Sequence, residues 1–248
     1  MDAHAGSSPT RPGEPTEAER APIGAIALAW PDDDLLWALV AGKPLFAWAV
    51  AACEAAPEIA ATVLALPSDR VPAAAALATR EGWRRTRLLA VAPDATRRRD
   101  AVRAALAALS PACGWVMVHD AARPLITPQL IALAFAAAQL TGAATAAEPV
   151  KETIKRARDG VVIETLPRAE LAQLQTPQVF RRDLLRAAHQ QSVPDADLPD
   201  DVALALACGI TVQTYPAGAD HLLVSTPDDL KLAGALLQRR LPPEDTAT

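Results

Sequence analysis

From Pro22 onward the chain alternates short apolar runs with stretches whose apolar positions recur at about 3.6 residues. The runs "IGAIALAW", "IAATVLALP", "TRLLAVAP", "GWVMVHD" and "GAATAAEPV" read as five strands. "KPLFAWAVAACEAA", a segment after Ser68 reaching about Arg80, "TRRRDAVRAALAALS" and "TPQLIALAFAAAQL" read as the helices between them. Ser68, Thr96 and Thr127 suit helix N-caps, and Pro128 suits the first helical position. Strands alternating with helices predict an α/β domain with a mostly parallel sheet covered on both faces. The alternation breaks at Val150. Residues 151–179 are polar and strand-like, with "RDG" as a turn signal, so this segment predicts a projecting β-hairpin arm. A hairpin buries little by itself, and a second subunit packed against it would remedy that. The core pattern then resumes: helices near Arg181–Gln191 and Asp200–Cys208, strands "ITVQTYP" and "HLLVS", and a last helix capped by Thr226.

Composition narrows the class. The 248 residues suffice for a substantial core, and 51% are hydrophobic while only 4% are aromatic, which suits alanine-rich helices packed closely on a sheet. A formal net charge of -5 argues against a general nucleic-acid surface. The local arginine clusters Arg84–Arg87 and Arg97–Arg99 read as mostly solvated helix faces and ends. Cys53, Cys113 and Cys208 are odd in number and spaced for no metal, as expected of small hydrophobes in a reducing compartment. No signal peptide or membrane-length apolar run is visible, so the expectation is a cytoplasmic protein without membrane or nucleic-acid partners. Residues 1–21 read as a disordered tail, 22–240 as one domain and 241–248 as a C-terminal tail.

The candidate chemistry sits at the end of the fourth strand, in "VHDAARP". Open α/β sheets bind ligands beyond the carboxyl ends of their strands. There Asp120 could hold a divalent metal, Arg123 could clamp a phosphate, and the small Ala121 and Ala122 would let a ligand approach the backbone. The structural alternative is a turn in which Asp120 pairs with Arg123. No catalytic triad, Walker loop, G-x-G-x-x-G or C-x-x-C pair is present.

"VHDAARP" resembles the signature of the 2-C-methyl-D-erythritol 4-phosphate cytidylyltransferases of the non-mevalonate isoprenoid pathway. "AGKPLFAWAV", "KETIKR", "LQTPQVF", "DDVALALACG" and "GADHLLVSTPDDLKLAGALL" match the same family in order, spanning about Ile23 to Leu237. The resemblance implies a Rossmann-like nucleotidyltransferase fold whose β-arm interlocks two subunits as a homodimer. It implies transfer of CMP from CTP to a sugar-alcohol phosphate with release of pyrophosphate, assisted by Mg2+. Asp120 is then similar to the metal-binding catalytic aspartate and Arg123 to the arginine that helps bind the sugar phosphate. Thr153 matches the threonine of the "TIKR"-type segment, with Lys155 beside it. Arg168 and Thr176 match arm residues expected to reach the substrate phosphate in the partner subunit.

The departures from the family fall on its triphosphate cradle. A glycine-rich loop with an arginine and a lysine is replaced by "ALAWPDDDLLWALVAGKP", in which Leu35 takes the lysine position and Lys43 is out of register. Asp32, Asp33 and Asp34 bring negative charge instead. The family's Asn-Ile-Lys run reads His221, Leu222 and Leu223, its nucleotide-contacting serine falls on Ala101, and a threonine falls on Pro199. Each aspartate within ~4–6 Å of a phosphate charge would cost about 3–4 kcal/mol at an effective dielectric of ~20, before relaxation and screening. Activity is therefore expected to be weakened or lost. The alternatives are a non-catalytic binding or regulatory subunit, or transfer with another nucleotide or a ribitol-type acceptor. The acidic segment predicts a helix running to Gly42 with Leu35, Leu36 and Leu39 as its apolar stripe. A rebuilt metal site on the three aspartates is the sharper alternative.

Overall fold

The computed structural model describes residues 21–31, 33–92, 95, 97–191 and 198–241. The expected N-terminal tail up to Arg20, Asp32 of the acidic segment, the Thr96 cap and residues 242–248 lie outside these. In chain order the elements are β1 (Ile23–Leu28), α1 (Asp34–Trp37), β2 (Leu39–Val40), β3 (Lys43–Pro44), α2 (Leu45–Ala55), β4 (Ile59–Pro67), α3 (Val71–Glu81), β5 (Thr86–Val91), α4 (Arg98–Ala108), β6 (Trp115–Asp120) and α5 (Pro128–Ala138). They continue with β7 (Ala143–Pro149), β8 (Lys155–Arg158), β9 (Val161–Thr165), β10 (Ala172–Arg181), α6 (Arg182–Gln191), α7 (Asp201–Ala207), β11 (Gln213–Tyr215) and α8 (Pro227–Gln238).

Seven strands form the central sheet in the order β11-β7-β10-β6-β1-β4-β5. β10 runs antiparallel to both neighbours, and the other pairings are parallel. β1 is buried along its whole length because it lies between β4 and β6 with helices on both faces. Such strands carry continuous apolar runs rather than alternation. One face packs Phe46, Trp115, Ile131 and Leu77 from α2, β6, α5 and α3. The other packs Val102 and Leu106 of α4, Leu185 of α6 and Val202 of α7 against β1, β4 and β6. Gly24 lets Leu109 pack closely on that second face: a Cβ there would come within 2.9 Å of the Leu109 side chain, which would have to shift.

Two of the expected caps form, and Ser68 does not act as one: it lies inside a 3-10 turn whose N-cap is Pro67. The Thr127 side chain accepts the Leu130 N–H, and Thr226 with Asp229 forms a reciprocal capping box. The helix after Ser68 begins as a 3-10 turn, Ser68–Arg70, before α3. "HLLVS" forms no strand; Val224 N–H instead bonds the Ala122 carbonyl at 2.9 Å, binding this segment to the loop after β6.

The acidic segment departs from its expected helix. α1 is a single turn capped by Asp33, whose carboxylate accepts the Leu35 N–H at 2.9 Å. The chain then extends into β2 and reverses through Ala41 and Gly42, at φ 47 and 89, into β3. Two consecutive positive φ values suit a tight hairpin turn, so Gly42 turns a ribbon rather than ending a helix. Leu39 is accordingly 73% exposed instead of lying in an apolar stripe.

β8 and β9 pair as an antiparallel ribbon whose residues are all exposed. The strand that follows, β10, belongs to the central sheet from Ala172 onward, so the projecting part of residues 151–179 ends before it.

Candidate active site

β6 ends at Asp120, and the chain turns at once through an Arg123 N–H to Asp120 carbonyl bond of 2.9 Å. The turn is anchored from below. Ala121 N–H bonds Leu28 O at the end of β1, and the Asp120 N–H donates to the Thr176 hydroxyl at 3.0 Å. Because β10 is antiparallel to β6, it brings Thr176 and Gln178 to the carboxyl end of β6. Asp120, Arg123, Thr176 and Gln178 thus line one cavity of about 270 Å³, with Arg98 and Asp200 across from them.

Arg98 comes from the first turn of α4. Its Nη2 donates to Asp120 Oδ1 at 3.2 Å, and its Nη1 donates to Asp201 Oδ2. Asp201 is almost fully buried at the start of α7, and His189 Nε2 lies 3.4 Å from its Oδ1. Burial alone would raise the Asp201 carboxyl, but His189 and the Arg98 charge outweigh it and hold it below the usual range. Burial works against the Arg98 charge too, and the two carboxylates more than compensate. Asp200 caps α7 through the Ala203 N–H and accepts from Gln178 Nε2 at 3.2 Å, so both its oxygens are engaged.

Arg123 is 7% exposed and is held from behind. Its Nη1 donates to the His221 carbonyl at 3.2 Å, and His119 Nε2 meets its own carbonyl at 3.1 Å. His221 Nε2 bonds Thr176 O at 2.6 Å, and the two imidazole rings lie 5.8 Å apart. Burial lowers both histidines, His119 well below its ordinary value and His221 to about 4, so both are neutral at pH 7. Burial also lowers Arg123, which Asp120 opposes. The alternative of an Asp120–Arg123 turn pair is not what forms: Asp120 pairs with Arg98, and Arg123 Nη1 is held by the His221 carbonyl.

The sequence-predicted residues divide into two groups. Asp120, Arg123 and Thr176 converge on the cavity. Thr176 is 3% exposed within β10, and at the edge of that cavity its hydroxyl accepts the Asp120 N–H of its own chain. Thr153, Lys155 and Arg168 are exposed in the arm region and do not line that cavity. Lys155 Nζ bonds Thr165 Oγ1 across the ribbon, and Arg168 Nη1 bonds the Lys151 carbonyl at 2.9 Å.

Arg98, Asp201, His189 and Gln178 were not legible as site residues. Arg98 is the telling case, since its cluster reads as a solvated helix face while its side chain is only 23% exposed. The available signal was the buried-helix period of "RRDAVRAAL", which turns Arg98 towards the same face as Ala101, Val102 and Ala105.

Leucines stand at the two positions where the resemblance implies lysines. Leu35 lies in the one-turn α1, and Leu223 is 43% exposed beside Val224. Lys43 does not replace them: its ammonium bonds Glu81 at 2.9 Å and lies over the Trp48 ring. Asp34 faces solvent, paired with Arg70 at 3.3 Å. Among the described residues no cluster of three or more His, Cys, Asp or Glu side chains could cage a metal. Asp120, one of two carboxylates at this open cavity, fits a divalent cation that takes most of its shell from other oxygens rather than a fully protein-bound ion.

The family model described as 2-C-methyl-D-erythritol 4-phosphate cytidylyltransferase matches residues 31–239. A protein of that name from Dehalococcoides mccartyi strain CBDB1 is 35% identical over 224 residues, covering 88% of this chain and 96% of its own. Another from Frankia casuarinae is 38% identical over 207 residues, covering 82% of this chain and 74% of its own. The crystal structure of 4-diphosphocytidyl-2C-methyl-D-erythritol synthase from Anaerococcus prevotii superposes with a TM-score of 0.78 at 24% identity, covering 88% of this chain and 97% of that one, which establishes the fold. The 2-C-methyl-D-erythritol 4-phosphate cytidylyltransferase of Thermus thermophilus superposes with a TM-score of 0.67 at 27% identity, covering 86% and 98%. With its sheet order, its "VHDAARP" turn and these matches over most of its length, this chain belongs to the 2-C-methyl-D-erythritol 4-phosphate cytidylyltransferase family.

Proposed function

We propose that the protein transfers CMP from CTP to 2-C-methyl-D-erythritol 4-phosphate, releasing pyrophosphate, with activity weakened by the loss of its triphosphate cradle. The observation that carries this reading is the convergence of Asp120, Arg98, Arg123 and Thr176 on one cavity at the carboxyl end of β6. In the reaction a phosphate oxygen of the acceptor attacks the α-phosphorus of CTP. A new P–O bond forms there and the bond to the β-phosphate bridging oxygen breaks. No protein nucleophile is needed, so the residues contribute position and charge. Asp120 would hold Mg2+, which neutralises phosphate charge. Arg123, fixed by the His221 carbonyl, supplies a positive wall for the acceptor phosphate. Thr176 keeps the Asp120 backbone in place.

The β8–β9 ribbon supports a homodimer. Val161, Val162 and Ile163 are 65%, 61% and 56% exposed, a run of apolar surface on a ribbon too small to be stable alone. A second copy packed on it would bury this run, and Thr153, Lys155 and Arg168 would then stand near the partner's acceptor phosphate. The domain is assigned to residues 22–240. The two buried free thiols, Cys53 and Cys113, suit a reducing cytoplasm. No helix among the described residues is long and apolar enough to cross a membrane.

A second reading, a non-catalytic binding or regulatory homologue, is favoured by one observation: leucines stand at both lysine positions while Lys43 is engaged by Glu81. Pyrophosphate release from the purified protein with CTP, 2-C-methyl-D-erythritol 4-phosphate and Mg2+ separates the two. Turnover that disappears in Asp120→Ala supports the transferase. A folded dimer without turnover at high protein concentration supports the homologue.

A further inference from the structure

Arg98 divides one positive charge between two carboxylates of different standing. Asp201 has 1% of its side chain exposed, whereas Asp120 has 32% exposed at the cavity. A guanidinium is planar, so donating one nitrogen to each carboxylate fixes its plane and the direction of both partners. The Asp201 side of the fork is buried in the core, with His189 Nε2 3.4 Å from its other oxygen. The fork therefore has a buried end in the core and a working end at the cavity. At the working end Oδ1 of Asp120 is occupied, and Oδ2 is left without a protein partner among the described residues.

We infer that Arg98 is a positioning residue that sets the direction and the effective charge of the Asp120 carboxylate, and that Asp201 governs how much of the Arg98 charge reaches it. Where Asp201 takes the guanidinium strongly, Asp120 keeps more of its negative charge for a cation. Where Asp201 is neutral, the buried guanidinium has Asp120 as its remaining counter-ion and draws on it harder. The assignment rests on the reading of Asp120 as a metal-binding carboxylate. It adds that the metal affinity of this site is tuned from α7, on the far side of the guanidinium.

The two sides of the fork predict opposite signs. Removing Arg98 alone would strand the buried Asp201 charge, so the variant used is Arg98→Ala combined with Asp201→Asn. Mn2+ serves as the probe, with free ion quantified by electron paramagnetic resonance on the purified protein, with and without CTP. The Asp201→Asn variant binds Mn2+ about 3- to 10-fold more weakly than the wild type, and the double variant about 10-fold more tightly. Loss of folded protein alone would move both in the same direction, and equal or same-sign shifts overturn the inference. A wild type that binds no Mn2+ in either condition defeats the metal reading of Asp120 instead. The fork is then judged without metal by a double-mutant cycle in the Asp201→Asn background, pairing Arg98→Ala with Asp120→Ala and read by urea unfolding. Non-additivity sustains the positioning contact, and additivity overturns it.

Discussion

The Thr176 hydroxyl accepts the Asp120 backbone N–H at 3.0 Å, so the one antiparallel strand of the central sheet carries the support for the carboxylate at its centre. The acceptor is buried, and water cannot replace it freely. Thr176→Val keeps the shape and removes the acceptor. The expected cost is about 1–3 kcal/mol in urea unfolding, from an N–H left unsatisfied. Thr176→Ser restores most of it. A valine variant as stable as the wild type would show that this bond contributes nothing net.

Leu223 is 43% exposed where the family carries a lysine, so a longer polar side chain fits without disturbing the core. Leu223→Lys is expected to raise pyrophosphate release by about 10-fold or more, since one lost donor to a transition state typically costs ~10²–10³ in rate. The thermal midpoint should be nearly unchanged. An unchanged rate would place the deficit in the β1–β2 segment instead.

His221 gives stability a pH dependence of known sign. Burial depresses its folded-state value to about 4, against an ordinary 6.5, so the unfolded chain binds more protons between these values. Its contribution is full above about pH 6.5 and is lost as pH falls towards 4, on the order of 3 kcal/mol in all. His119, depressed for the same reason, adds to the fall. Urea unfolding at pH 7, 5.5 and 4.5 measures the slope. His221→Asn should flatten it, and an unaltered slope would remove His221 from the cause.

The exposed run Val161, Val162 and Ile163 gives a direct test of the arm. The proposed dimer predicts that Val162→Asp with Ile163→Asp gives a monomer in light scattering coupled to size exclusion, leaving the far-ultraviolet circular dichroism largely unchanged. A wild-type monomer, or a variant that remains a dimer, would reject the arm as the contact.

The sequence by itself determined the layers and most element identities. Strand and helix periods are local properties, so β1, β4, β5, β6 and the caps at Thr127 and Thr226 could be read from neighbouring residues. It also pointed to the end of β6 as the candidate site, where a carboxylate and a guanidinium close an apolar strand. Propensity and charge in the acidic segment favour a longer helix than the single turn and ribbon that form. The positive-φ turn at Ala41–Gly42 and the Trp37–Phe46 ring contact at 4.8 Å belong to another arrangement. Only the tertiary structure decided which cations serve the site. Arg98 and Asp201 are 103 residues apart, and Arg123 and His221 are 98 apart. A charge has no periodicity that announces its partner. Whether an arginine is solvated or holds a carboxylate at the candidate site depends on which helix the sheet order places opposite it, and that order comes from the packing of the whole chain.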